Sequence, residues 1–138
     1  MSLATAHAAL NGRIAIVVGG AAGHLGRAAT LALAEAGCRL FVCDNDREGL
    51  AAIVPEVEAL GARITAIFAD VEDAASLDVF YDRAAAELPH ADILVNMPGG
   101  VRRNLFMNTT RSDHARDIRL NYGYVIDSCQ RAIPLLRK

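Results

Sequence analysis

Four short apolar runs alternate along this chain with longer stretches in which apolar positions recur at helical spacing. The runs, at 14–18, 40–43, 64–68 and 93–95, are nearly continuous in apolar residues. That pattern predicts parallel strands covered by helices on both faces. After the first run, Leu25, Ala28, Ala29, Ala32, Leu33 and Ala36 fall at helical spacing, and Gly37 supplies the left-handed residue that ends many helices. Leu50, Ile53, Val54, Val57 and Leu60 repeat the pattern up to Gly61, and Pro55 inside it leaves the start or the straightness of that helix open. Leu77, Phe80, Tyr81, Ala84, Ala85 and Leu88 predict a third helix, closed by Pro89. Residues 97–111 read as a loop. One long helix is then expected from about Asp113 to the end, with Ile118, Tyr122, Val125, Cys129, Ile133 and Leu136 on one stripe.

Strand-helix alternation of this kind builds a doubly wound α/β sheet. Right-handed crossovers put the first three strands in the order 3-2-1, with the fourth on the other side of the first. No further repeat, low-complexity tract or linker interrupts the pattern, so residues 1–138 are expected to form a single domain. The strand order reverses between strands one and four, and a ligand is expected at their carboxyl ends.

The first strand runs into Gly19-Gly20-Ala21-Ala22-Gly23-His24-Leu25-Gly26, and the first helix begins inside that run. Glycines let the backbone turn tightly and approach a pyrophosphate, while a helix N-terminus offers unpaired N–H groups and a positive dipole end. Tight packing of helix on strand is the alternative reason for such a turn. Asp44 ends the second strand eighteen residues after Gly26. That is near the ~20-residue offset at which an acid binds the adenosine ribose in a Rossmann-type fold. A helix cap is the alternative for Asp44, and Asp46 could take that job instead. An acid here favours NAD, because it would repel the 2′-phosphate of NADP; the nearest bases, Arg39 and Arg47, are not adjacent to Asp44, so NADP is the second choice. His24 reads as a substitute for glycine or a phosphate-side donor, ahead of a catalytic imidazole.

Charge and composition narrow the partners. The net charge is −2 with acids and bases interspersed, so no basic stripe for nucleic acid is present. Residues 1–11 lack the basic start and apolar run of a secretory signal, and no stretch reaches the ~18 apolar residues of a membrane span. A cytoplasmic protein with no membrane contact is expected. Cys38, Cys43 and Cys129 are odd in number and widely spaced, which points to small core residues rather than disulfides or zinc. His7, His90 and His114 show no metal-ligand spacing, so no metal is expected. Tyr122 and Tyr124 read as packing residues.

Further along, Asp70-Val71 follows the third strand, Asn96-Met97-Pro98-Gly99 follows the fourth, and Asn121 lies twenty-five residues beyond Asn96. With the glycine-rich turn and Asp44, these residues resemble the short-chain dehydrogenase/reductase family in order and spacing, over nearly the whole chain. There are departures. The family's Thr-Gly-x-x-x-Gly-x-Gly would put Thr at Gly19 and Gly at His24. Gly20, Gly23 and Gly26 instead match the Gly-x-x-Gly-x-x-Gly of its larger, epimerase-like branch, while Asn96 and Asn121 follow the smaller branch. Met97 and Pro98 replace the Asn and Ala of the family's Asn-Asn-Ala-Gly.

The resemblance implies an NAD(P)-dependent oxidoreductase moving hydride between the nicotinamide and an alcohol or carbonyl substrate. It puts Gly20, Gly23, His24, Leu25 and Gly26 around the pyrophosphate, Asp44 on the ribose, Asp70 and Val71 at adenine, and Asn96, Pro98 and Gly99 toward the nicotinamide. Asn121 would support a proton relay, and the last helices would pair between subunits of a homo-oligomer. The family's serine and its Tyr-x-x-x-Lys pair are missing: the only lysine is Lys138, and position 134 is proline. The chain is therefore expected to be truncated before the catalytic segment, with the remainder of the fold absent. Arg102, Arg103 and Asn104 are the nearest candidates for a substrate, and a solvated loop face is the stronger reading for them. Two other functions stay open: a dinucleotide-binding module without turnover, and an S-adenosylmethionine methyltransferase.

Overall fold

Four strands, β1 (Ile14–Val18), β2 (Arg39–Asp44), β3 (Ile64–Phe68) and β4 (Ile93–Asn96), pair in parallel in the order β3-β2-β1-β4. The computed structural model describes residues 9–136; His7 and Lys138 lie outside them. The register sets Val18 opposite both Cys43 and Asn96, so the carboxyl ends of β1, β2 and β4 are level.

Alternate residues of the two central strands feed two cores, which is why their sequences are apolar without alternation. Ala15, Val17, Leu40 and Val42 face α1 (His24–Glu35) and α2 (Arg47–Ala59), packing with Ala34, Leu50, Ile53 and Val57. Ile14, Ile16, Val18, Phe41 and Cys43 face the other layer, with Leu77, Phe80 and Tyr81 of α3 (Ala74–Glu87) and with Tyr124 and Ala132. The Phe41 and Phe80 rings, both fully buried, lie 5.2 Å apart. Each contributes about 1.5–3 kcal/mol by burial. The edge strands β3 and β4 are only half-buried, unlike the coverage on both faces expected for all four.

Two helical expectations need correction. In α1 the buried positions are Gly26, Thr30 and Ala34, whereas Leu25 is 75% exposed and Ala28 and Ala32 face outward. The helix approaches β1 so closely that a Cβ on Gly26 would lie 1.9 Å from the Gly19 carbonyl oxygen. Small residues make that contact, while Leu31 and Leu33 pack half-buried against the same core and Leu25 lies outside.

The last helix is interrupted. It starts at Arg111, two residues earlier than expected, because Thr110 accepts from the Asp113 N–H and Asp113 accepts from the Thr110 N–H. Helix α4 (Arg111–Ile118) passes through a π-helical turn (Arg119–Gly123) into α5 (Tyr124–Ala132). A π turn holds an extra residue, which rotates the following face by about 100°. The buried stripe of α5 is therefore Tyr124, Ser128 and Ala132, while Ile118, Tyr122 and Ile133 of the expected stripe are exposed. Helix α2 runs unbroken through Pro55. Gly37 and Gly61 take left-handed φ of 81° and 79° after α1 and α2, as expected. The expected 97–111 loop runs only to residue 110, with a 3-10 turn at Phe106–Asn108. Among the described residues no helix is long and apolar enough to cross a membrane.

Candidate functional site

A cavity of about 550 Å³ opens at the carboxyl ends of the strands. It is lined by Gly23, His24, Leu25 and Gly26, by Asp44, by Asp70 and Val71, and by Pro98 and Gly99, so nine of the expected site residues meet there. Gly20, Asn96 and Asn121 stand behind its walls.

Helix α1 begins at this cavity. Its N-cap, Gly23, has φ 67° and ψ 172°, a region open essentially to glycine alone, and no side chain caps the helix. The first turn contains no acid. The N–H groups that every helix start leaves unpaired are thus free of side-chain acceptors beside the cavity, where the positive end of the helix dipole also points. This arrangement fits the pyrophosphate of a dinucleotide. Gly20 works from below: its carbonyl accepts the Thr30 hydroxyl at 2.7 Å, and a Cβ there would come within 2.8 Å of Val17, Val42 and Thr30.

Asp44 performs a task that neither sequence alternative covered. Its Oδ2 accepts the N–H groups of Ala21 at 3.0 Å and Ala22 at 2.8 Å, and its Oδ1 accepts that of Asp46 at 3.1 Å. The carboxylate fastens the glycine-rich turn to the end of β2. Asp46 is the cap of α2, accepting the Glu48 N–H at 3.0 Å. Asp70 opens a tight turn that contains Val71: its carboxylate accepts the Glu72 N–H at 3.0 Å and its own N–H donates to the Ser76 hydroxyl at 3.0 Å.

The Asn96 side chain turns toward α5, where its Oδ1 accepts the Ser128 hydroxyl at 2.6 Å, and Ser128 is paired with the Tyr81 hydroxyl at 2.6 Å. Burial holds the Tyr81 hydroxyl well above its ordinary range. Asn121, within the π turn, clamps Gly100: Oδ1 accepts its N–H at 2.9 Å and Nδ2 donates to its carbonyl at 2.7 Å. Nδ2 also donates to the Asp117 carbonyl at 2.8 Å. Tyr124 donates its hydroxyl to the Pro98 carbonyl at 2.8 Å, and burial pushes it up to about 12, so it keeps its proton at neutral pH. Tyr124 packs as expected; Tyr122 does not, being 65% exposed. Cys38 and Cys43 are buried as expected, and burial pushes the Cys43 thiol up to about 12; Cys129 is half-buried.

Glu72, Arg116 and Leu120 also line the cavity and were not legible in the sequence. Arg116 of α4 donates to Glu72 at 2.8 Å, across forty-four residues of chain. Only the helical spacing of Arg116 and Leu120 could have hinted at a shared face. Arg102 pairs with Asp113 at 3.2 Å on an exposed loop, and Arg103 and Asn104 are exposed outside the cavity lining.

Comparison with known proteins gives a consistent set of similarities. The short chain dehydrogenase family model matches residues 13–138. The chain is 34% identical over 128 residues to 2-dehydro-3-deoxy-D-gluconate 5-dehydrogenase of Escherichia coli, covering 89% of this chain and 47% of that protein. Its fold is similar to a hydroxysteroid dehydrogenase from Escherichia coli, with TM-score 0.83, 30% identity, and coverage of 91% of this chain and 52% of that one. It is likewise similar to a Pseudomonas aeruginosa RhlG/NADP active-site complex, with TM-score 0.83, 32% identity, and coverage of 91% and 48%. The chain thus spans about half the length of these relatives.

Proposed function

This chain belongs to the short-chain dehydrogenase family, and from that premise we propose that it is the cofactor-binding part of an NAD-dependent oxidoreductase acting on an alcohol or carbonyl substrate. The observation that carries this reading is the meeting, in one cavity, of an uncapped helix start at Gly23 with Asp44 and the Asp70-Val71 turn. The N–H groups of His24, Leu25 and Gly26 hold the pyrophosphate. Asp44 takes a ribose hydroxyl on the one Oδ1 lone pair not used by backbone N–H groups, and its charge disfavours a 2′-phosphate. Asp70 and Val71 flank adenine. Pro98 and Gly99 face the nicotinamide side, held from behind by Tyr124 and Asn121, with Asn96 tying β4 to α5. When bound, the nicotinamide supplies or accepts the hydride.

Proton transfer is assigned elsewhere. A tyrosine needs a neighbouring cation to act at neutral pH, and no tyrosine here has a lysine four residues on. We place the serine, tyrosine and lysine of the full reaction outside these 138 residues, with Asn121 contributing only position. The exposed apolar residues Ile118, Tyr122 and Ile133 support a homo-oligomer paired through α4 and α5, testable by sedimentation. A second reading, a dinucleotide binder without turnover, is favoured by a sequence that holds the cofactor signals without a tyrosine followed four residues on by lysine. Thermal melting with NAD, NADP and S-adenosylmethionine separates the classes. NAD at about 100 times its Kd adds ~2.7 kcal/mol of stability. A shift with S-adenosylmethionine and none with NAD would overturn the oxidoreductase reading. Hydride transfer assayed on the same chain distinguishes turnover from binding alone.

A further inference from the structure

We infer that Gly19 and Pro98 form an interlocked pair that sets the nicotinamide-side wall of the cavity, making Pro98 a positioning residue for the ring end of the dinucleotide; this rests on the NAD reading above. Gly19 follows β1 with φ 74°, and a Cβ built on it would lie 2.6 Å from both Cδ and Cγ of Pro98 and 3.1 Å from its nitrogen. The proline ring therefore occupies the space a side chain at position 19 would need. Both positions depart from the family pattern in opposite senses: glycine stands where threonine is usual, and proline where alanine is usual. Volume removed at one is taken up at the other.

The pair joins two parts of the site. Gly19 opens the phosphate turn and donates its N–H to the Cys43 carbonyl at 2.8 Å. The segment containing Pro98 is fixed on three sides. The Met97 N–H donates to the Val18 carbonyl at 3.0 Å, Tyr124 holds the Pro98 carbonyl, and Asn121 clamps Gly100. Gly19, Met97, Pro98 and Gly99 all line the cavity. With its φ fixed by the ring and the ring seated in the space over Gly19, Pro98 brings the wall and the turn into direct contact.

The test compares NAD with ADP-ribose, which lacks the nicotinamide, by calorimetry on the full chain. Pro98→Ala is expected to weaken NAD about fivefold, the upper end of what one proline's ordering contributes, while ADP-ribose affinity stays within about twofold. A parallel loss for both ligands, or for neither, overturns the inference. Gly19→Ala provides a second measure that does not depend on how Pro98→Ala folds. It should cost about tenfold in NAD affinity with Pro98 present, and clearly less in the Pro98→Ala background, because the strain of a positive φ is common to both and only the ring clash differs. Equal costs in the two backgrounds overturn it. If the parent chain binds neither ligand, the NAD reading itself falls; if it binds both and Pro98→Ala shows no NAD-specific loss, only the interlock falls.

Discussion

Asp44 holds three backbone N–H groups with a side chain that is almost wholly buried, so removing it reads out how far the glycine-rich turn depends on one carboxylate. In Asp44→Ala the buried Ala21 N–H loses its acceptor, at about 1–3 kcal/mol. The part-buried Ala22 and Asp46 N–H groups can recover water and lose about 0.5 kcal/mol each. The sum is about 3 kcal/mol. For a domain of this length that lowers the melting temperature by roughly 10 °C. Asp44→Asn keeps the shape and one acceptor oxygen, but its amide points a donor at another donor, so it should melt between the two. NAD binding should fall at least about tenfold in Asp44→Ala, since both the turn and the proposed ribose contact are lost. Circular-dichroism melting with parallel NAD titration measures both. A melting temperature for Asp44→Ala within about 2 °C of the parent would refute the argument that this carboxylate builds the turn.

Three further outcomes are expected. Gly26→Ala drives a Cβ to 1.9 Å from the Gly19 oxygen, so α1 must lift from β1. A loss of about 3 kcal/mol or insoluble protein is expected in melting and expression measurements. Ser128→Ala leaves the Tyr81 hydroxyl and Asn96 Oδ1 without their shared partner, costing about 2 kcal/mol in urea unfolding; adding Tyr81→Phe should restore part of it. Burial raises the Cys43 thiol from 9.0 to about 12, so the stability this group contributes is complete below pH 9 and is lost as pH rises from there toward 12. Melting temperature should fall across that window and fall less in Cys43→Ala, and at pH 8 Cys43 should resist alkylation until the chain unfolds.

The sheet was legible because β1 and the middle of β2 are buried on both faces, so 14–18 and 40–43 are apolar throughout and the strand order follows from crossover handedness. The helix faces were less so. In α1 the contact is made by Gly26, Thr30 and Ala34, residues with little hydrophobic signal, because the distance of approach rather than apolarity selects them. In the last helix a π turn changes the phase of the stripe, and the contact made from it, Asn121 to Gly100, spans twenty-one residues and leaves no periodic signal. The glycine-rich turn, Asp44 and Asp70-Val71 could be read at their spacing. What Asp44 does with its oxygens could not, because its partners are backbone groups of another element. The Arg116–Glu72 pair joins residues remote in sequence and leaves no linear trace.

The proposed function requires the cavity at the carboxyl ends of β1 and β4 to take NAD through the turn that starts α1. Titration calorimetry of the chain with NAD, repeated with NADP, tests this directly. The account predicts saturable binding of NAD at one site per chain in the micromolar range, with NADP weaker because its 2′-phosphate meets Asp44. No saturable NAD binding up to about 1 mM, which would mean less than ~4 kcal/mol of affinity, would contradict it, as would tighter binding of NADP.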